Sequence, residues 1–170
     1  GLWGGIAILG NAPLNTPDTT RRYRAVSSTS DKANYGGLEP ADNSGEISYV
    51  TIRFAGTNDY FEDPAGFTEY EHDRDELAGL TLAGVGSGTV LHHVETFACR
   101  DDGFRFLGGR VNARYLASVF NEDNAFDFDE GYAGHGQFWL ALHRKSIRDR
   151  SADGEYVMHH GGFPYPDTSR

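Results

Sequence analysis

Val90-Leu91-His92-His93-Val94 leads into Asp102-Gly103-Phe104-Arg105-Phe106, and 22 residues later the pattern returns as Asn112-Ala113-Arg114-Tyr115-Leu116 and Asn124-Ala125-Phe126-Asp127-Phe128. Each copy is an alternating apolar strand, an acidic turn, and a second strand of the form small-Phe-x-Phe. Alternation of period two sends successive side chains to opposite faces of a sheet. A fixed period in the low twenties is that of a solenoid coil, which buries its apolar edge only against its neighbours. The expected fold is all-β: a right-handed parallel β-helix (β-solenoid) with coils of about 22 residues and two long rim insertions. Leu80, Leu82, Val94, Phe104, Phe106, Leu116, Phe126 and Phe128 should form its stacked interior. A β-sandwich would also use short strands at this spacing, but repetition at a fixed offset argues against it.

Outward from the repeat, Gly79-Leu80-Thr81-Leu82-Ala83-Gly84 copies Gly5-Ile6-Ala7-Ile8-Leu9-Gly10, which places the two on equivalent sheets of different coils. Residues 47–54 alternate, with Tyr49 and Val50 competing for the interior, and 137–142 supply a further strand. Residues 11–45, rich in Pro, Asn, Thr and Ser, read as a long surface loop that is functional or mobile. Residues 57–76 form a second, acidic and aromatic insertion. The expected division is a β-solenoid domain over 1–142 (insertions 11–45 and 57–76) and an irregular C-terminal segment over 143–170. No stretch has a helical period.

The 170-residue chain carries 25 acidic and 15 basic residues, a formal charge of −10. Such a surface repels phosphate backbones, so no nucleic-acid partner is expected. No apolar run approaches the roughly 20 residues of a membrane-spanning helix, so no transmembrane segment is expected. The single cysteine, Cys99, excludes an intrachain disulfide and reads as a buried structural thiol. The chain opens on Leu2-Trp3 inside a strand-like pattern, as a processed or excised segment would. Solenoid ends need caps, so end-to-end self-association into a filament is a further expectation.

Gly1-Leu2-Trp3-Gly4-Gly5-Ile6-Ala7-Ile8-Leu9-Gly10-Asn11-Ala12-Pro13, Tyr35-Gly36-Gly37, Asp42-Asn43-Ser44-Gly45, Gly79-Leu80-Thr81-Leu82, Asp101-Asp102-Gly103-Phe104 and Phe126-Asp127-Phe128-Asp129-Glu130-Gly131-Tyr132 together resemble blocks of one family. It comprises uncharacterised β-helix-like lipoproteins and secreted surface proteins of Bacteroidetes-type bacteria, some with a type IX secretion sorting domain. The resemblance runs to about Leu142. It implies a β-helix fold and a secreted or outer cell-surface location, and it carries over no catalytic residue.

The densest chemistry is acidic. At the repeat offset Asp101 and Asp102 stack over Asp123 and Asn124, with Asp127, Asp129 and Glu130 just beyond. Carboxylates this close need a counter-charge, and hard oxygen ligands suit Ca²⁺; the candidate metal residues are Asp101, Asp102, Asp123, Asp127, Asp129 and Glu130. Equally, Asp and Asn make turns by accepting backbone N–H bonds. Arg105, one coil from Asp127, reads as a structural ion pair on an exposed sheet, worth well under about 1 kcal/mol.

Asp101-Asp102 followed by Gly134-His135-Gly136 resembles fragments of β-helical pectinases, but their Asn-Thr-Asp and Arg-Ile-Lys elements are missing here. Tyr60, Phe61, Phe67 and Tyr70 are candidate ligand-binding rings for carbohydrate or a surface protein; they could equally fold back onto the solenoid. His92 and His93, adjacent on a strand, should point to opposite faces and so could not share a metal without distortion. The leading functional expectation is a non-enzymatic extracellular module, structural or adhesive, with candidate Ca²⁺ in its acidic turns. The alternative is a polysaccharide-active hydrolase or lyase using carboxylates among Asp101, Asp102, Asp123 and Asp127.

Overall fold

The computed structural model describes residues 2–23, 31–57, 77–143 and, as strand path alone, 158–160. Its strands are β1 (Ile6–Leu9), β2 (Arg21–Arg22), β3 (Asn34–Tyr35), β4 (Glu46–Arg53), β5 (Leu80–Ala83), β6 (Val90–Phe97), β7 (Phe104–Leu107), β8 (Asn112–Val119), β9 (Phe126–Asp129), β10 (Gly136–Gln137), β11 (Leu140–Leu142) and β12 (Met158–His160). The only helical piece among the described residues is a 3-10 turn at Asp31–Ala33.

Two parallel sheets carry the coils. The first runs β1-β5-β7-β9-β12; the second runs β4-β6-β8, with β10 and β11 both pairing β8. This is a parallel β-helix: the chain alternates between the sheets and returns one rung further each time. The copied hexapeptides are neighbours, with Ile6 opposite Leu80 and Ile8 opposite Leu82. Phe104 and Phe106 stand opposite Phe126 and Phe128. Within 143–170, expected to be irregular, β12 continues the first sheet by pairing Met158–His160 with Phe126–Phe128.

All eight residues assigned to the interior are buried. Phe104 stacks on Phe126 and Phe106 on Phe128, each at 5.3 Å between centroids. Trp139 lies flat against Phe106 and Phe128 from the opposite side. Stacked ring pairs contribute about 0.5–1.5 kcal/mol each beyond area burial, so the aromatic ladder fixes register as well as excluding water.

The second sheet departs from simple alternation. Tyr49, His93, Tyr115 and Phe138 all have φ between 51° and 60°, in the left-handed region that side chains rarely adopt. Pairing skips these residues in β4, β6 and β8, and Phe138 separates β10 from β11. Each is a crease that resets strand parity: β6 buries Leu91, then Val94 and Thr96, and β8 buries Ala113, then Leu116 and Ser118. The competition in β4 resolves the same way, with Val50 turned toward the core and Tyr49 77% exposed. The crease residues form an outer ladder, Tyr49 on His93 at 4.7 Å, His93 on Tyr115 at 4.5 Å and Tyr115 on Phe138 at 4.9 Å.

The first insertion is a fitted cover in its described parts. β2 and β3 pair antiparallel, and Tyr23, Tyr35 and Leu14 pack with Ala83 and Leu107 on the outer face of the first sheet. Gly36 has φ 86° and its N–H donates to the Gly10 carbonyl at 2.8 Å, a close approach that a side chain would block. The sheet face expected to be exposed is therefore largely covered over β5, β7 and β9.

Candidate functional site: an acidic turn column

Two turns build the site. One leaves β6 through Ala98 (φ 50°) and the other leaves β8 through Phe120 (φ 57°). Their stacking is tied by a buried polar plug: the Asn121 side chain accepts from the Cys99 N–H at 2.8 Å and donates to Thr96 at 3.0 Å and Ser118 at 2.7 Å. Gly103 sits against these three side chains, where any Cβ would collide with them. Cys99 itself is buried and burial pushes its thiol up, as suits a structural thiol.

This stacking brings Asp101, Asp102 and Asp123 together, with one ligand oxygen from each lying within 4.8 Å of the others. Asp101 and Asp102 are buried and Asp123 is half-buried. The Asn124 N–H donates to Asp102 Oδ1 at 3.1 Å, so the turn-making role expected of an aspartate is met at Asp102. Burial above all pushes the Asp102 carboxyl well above the usual carboxylate range; the negative charges of Asp127, Asp101 and Asp123 add to this and Arg105 opposes it.

The other three candidate metal residues are placed differently. Asp127 lies opposite Arg105 on the first sheet, 3.0 Å from its Nε, with the Asp127 side chain buried and that of Arg105 11% exposed. The pair is thus under the insertion rather than on an exposed sheet, and the small surface value expected for it does not apply. Asp129 follows at the end of β9, half-buried and opposite Leu107. Glu130, at φ 53°, is engaged elsewhere: its carboxylate meets Arg21 at 2.6 Å and accepts from the Tyr35 hydroxyl at 3.1 Å. Burial raises its pKa even against the lowering effect of Arg21 and Tyr35. Tyr60, Phe61, Phe67 and Tyr70 lie outside the described residues.

Sequence reasoning missed Arg21, Tyr23 and Tyr35, which cover this face, and the crease ladder. The ladder carried a signal, since His93 and Tyr115 are 22 residues apart and Tyr49 precedes His93 by two such steps. Tyr23, whose hydroxyl meets Thr81 at 3.3 Å, carried none.

Chemically the column can hold a hard cation or share a proton. Oxygens within 4.8 Å can share one Ca²⁺ at bond lengths of about 2.3–2.6 Å. An inverting glycosidase needs its two carboxyls roughly 6.5–9.5 Å apart, with room for water and sugar between them; this trio is tighter and mostly shut from solvent. No helix among the described residues is long and apolar enough to cross a membrane.

A family model described as a pectate-lyase like beta helix domain matches residues 1–160. No curated protein and no solved structure gives a match.

Proposed function

Since this chain belongs to the pectate-lyase-like β-helix domain family, we propose that it serves as an extracellular, cell-surface β-solenoid module, structural or adhesive, and not as a polysaccharide-cleaving enzyme. The observation that carries this reading is burial: Asp101, Asp102 and Asp127 are exposed by 0%, 3% and 3% and Asp123 is half-buried, which gives a glycosidic oxygen little access to the set. In this reading Ca²⁺ bridges Asp101, Asp102 and Asp123 across two successive turns and locks one coil to the next. The surface ligand, a carbohydrate or another surface protein, meets the rings of residues 57–76, and copies join end to end through their terminal rungs.

Calorimetric melting with millimolar Ca²⁺ against a chelator tests the cation. The melting temperature should fall on chelation, and Asp123→Asn should abolish the difference. Turnover assays on neutral and acidic glycans test the enzyme alternative. Product formation lost in both Asp101→Asn and Asp127→Asn, with folding intact, would replace the module reading by the enzymatic one.

A further inference from the structure

Neighbouring residues on a strand project to opposite faces, so His92 and His93 should lie on either side of the second sheet. The crease cancels this. With φ 51° at His93, both imidazoles stand on the outer side, their Nδ1 atoms 3.0 Å apart. The same crease occurs at Tyr49, Tyr115 and Phe138, so it belongs to the coil; β6 alone places an imidazole both at the crease and just before it. The His93 ring is clamped between Tyr49 and Tyr115, at 4.7 and 4.5 Å. Tyr49 also meets His92 edge-on at 5.5 Å. The two ring nitrogens are therefore held in place without help from a ligand.

Two bare lone pairs repel at this distance. Either one Nδ1–H donates to the other nitrogen, or a cation takes both. We propose that His92 and His93 form a bis-imidazole chelate for a divalent transition metal, Cu²⁺ first, on the outer face of the second sheet. The geometry selects the ion. Two nitrogens about 2.0–2.1 Å from one metal are about 2.9 Å apart at a right angle but about 3.3 Å apart at the tetrahedral angle. The separation of 3.0 Å fits adjacent corners of a tetragonal site, the preference of Cu²⁺ with nitrogen and oxygen ligands. His93 is exposed and His92 half-buried, which leaves the remaining positions to water.

The charges alongside are of both signs. Ser48 and Arg114 align with His92 on the two adjacent strands, and the Ser48 hydroxyl donates to the Glu46 carboxylate at 3.1 Å. Arg114 thus opposes the cation while Glu46 favours it. This site shares no residue with the acidic column, and its failure would leave the calcium reading untouched.

The full chain titrated with Cu²⁺, followed by electron paramagnetic resonance, should bind one equivalent saturably with two coordinated nitrogens. His92→Ala and His93→Ala should each weaken binding at least about tenfold, since loss of even a group that only orients a ligand costs about 10–100-fold. Arg114→Gln should tighten it about two- to threefold by relieving like-charge repulsion. His159→Gln/His160→Gln, which removes the other His-His pair, should change nothing. His93→Asn keeps a residue that tolerates positive φ and serves if His93→Ala fails to fold. Unchanged binding in either His92 or His93 variants overturns the proposal. So does a nitrogen-15 spectrum that retains a proton between the two Nδ1 atoms in excess Cu²⁺, which would make the contact a hydrogen bond only.

Discussion

Asp102→Asn in calcium-free solution should stabilise the protein at pH 7 and do little near pH 4. The sign follows from the direction of the shift. Burial, reinforced by Asp127 and Asp101, raises the folded-state pKa of Asp102 above its ordinary value of 3.8. The folded chain then holds this proton more tightly than the unfolded chain. Stability is complete below the unfolded pKa and declines as pH rises toward the folded pKa, at up to about 1.4 kcal/mol per pH unit. Asparagine removes that decline while keeping an Oδ1 acceptor for the Asn124 N–H, now bonded at 3.1 Å. The neutral amide also ends the repulsion with the Asp101 and Asp123 carboxylates of the same 4.8 Å cluster. At about 2–4 °C per kcal/mol for a chain of this size, the variant's lead in melting temperature should widen by about 3–6 °C per pH unit above pH 4, levelling off once the parent's carboxyl ionises in the folded state. Scanning calorimetry in chelator at pH 4, 5, 6 and 7 reads this directly. A variant that melts below the parent at pH 7, or a gap independent of pH, would refute the reasoning. Added Ca²⁺ should reverse the order, because the parent then gains a ligand set that the variant lacks.

Four other outcomes follow from the same packing. Arg105→Met strands the buried Asp127 carboxylate and should cost about 3–5 kcal/mol in urea unfolding, largely recovered by adding Asp127→Leu; a loss below about 0.5 kcal/mol would mean the pair is hydrated. Phe106→Ala removes a fully buried ring that stacks on Phe128 and Trp139 and meets Tyr132 at a tilt and should cost about 3–5 kcal/mol. Tyr35→Phe deletes the hydroxyl bond to Glu130, worth about 1.5–3 kcal/mol when the acceptor is charged. Limited proteolysis within 11–45 should then speed up, while hydrogen exchange in β5, β7 and β9 stays slow. Cys99, buried and with its thiol pKa raised, should react with a disulfide reagent only as fast as the chain unfolds; rapid labelling of the native protein would contradict its burial.

The rungs of the fold were legible because they are local. Phe104-x-Phe106 and Phe126-x-Phe128 announce a shared face, and the offset between them names the neighbour. The crease was not legible, because alternation assumes an unbroken strand and aromatic residues rarely take positive φ. That one conformational fact turned Val50 inward, Tyr49 outward, and His92 and His93 toward each other. In the acidic column the period identified Asp101, Asp102 and Asp123 as neighbours. It could not separate Glu130 from them, because the partner that claims Glu130, Arg21, lies 109 residues away in an insertion that has no period. The same insertion converted the Arg105–Asp127 pair from a solvated contact into a buried one.

The creased coil also limits how chain length can change. Along the ladder each crease ring stacks on the ring of the neighbouring coil, so gain or loss of one whole coil leaves every ring with an equivalent neighbour. Deletion of Tyr115 alone is different in kind: it would swing the second half of β8 by one position, sending Ala117 and Val119 inward in place of Leu116 and Ser118 and breaking the Ser118 bond to Asn121. Tolerated insertions and deletions in this chain should therefore come either as complete coils or inside the two excursions, and almost never as single residues within a rung.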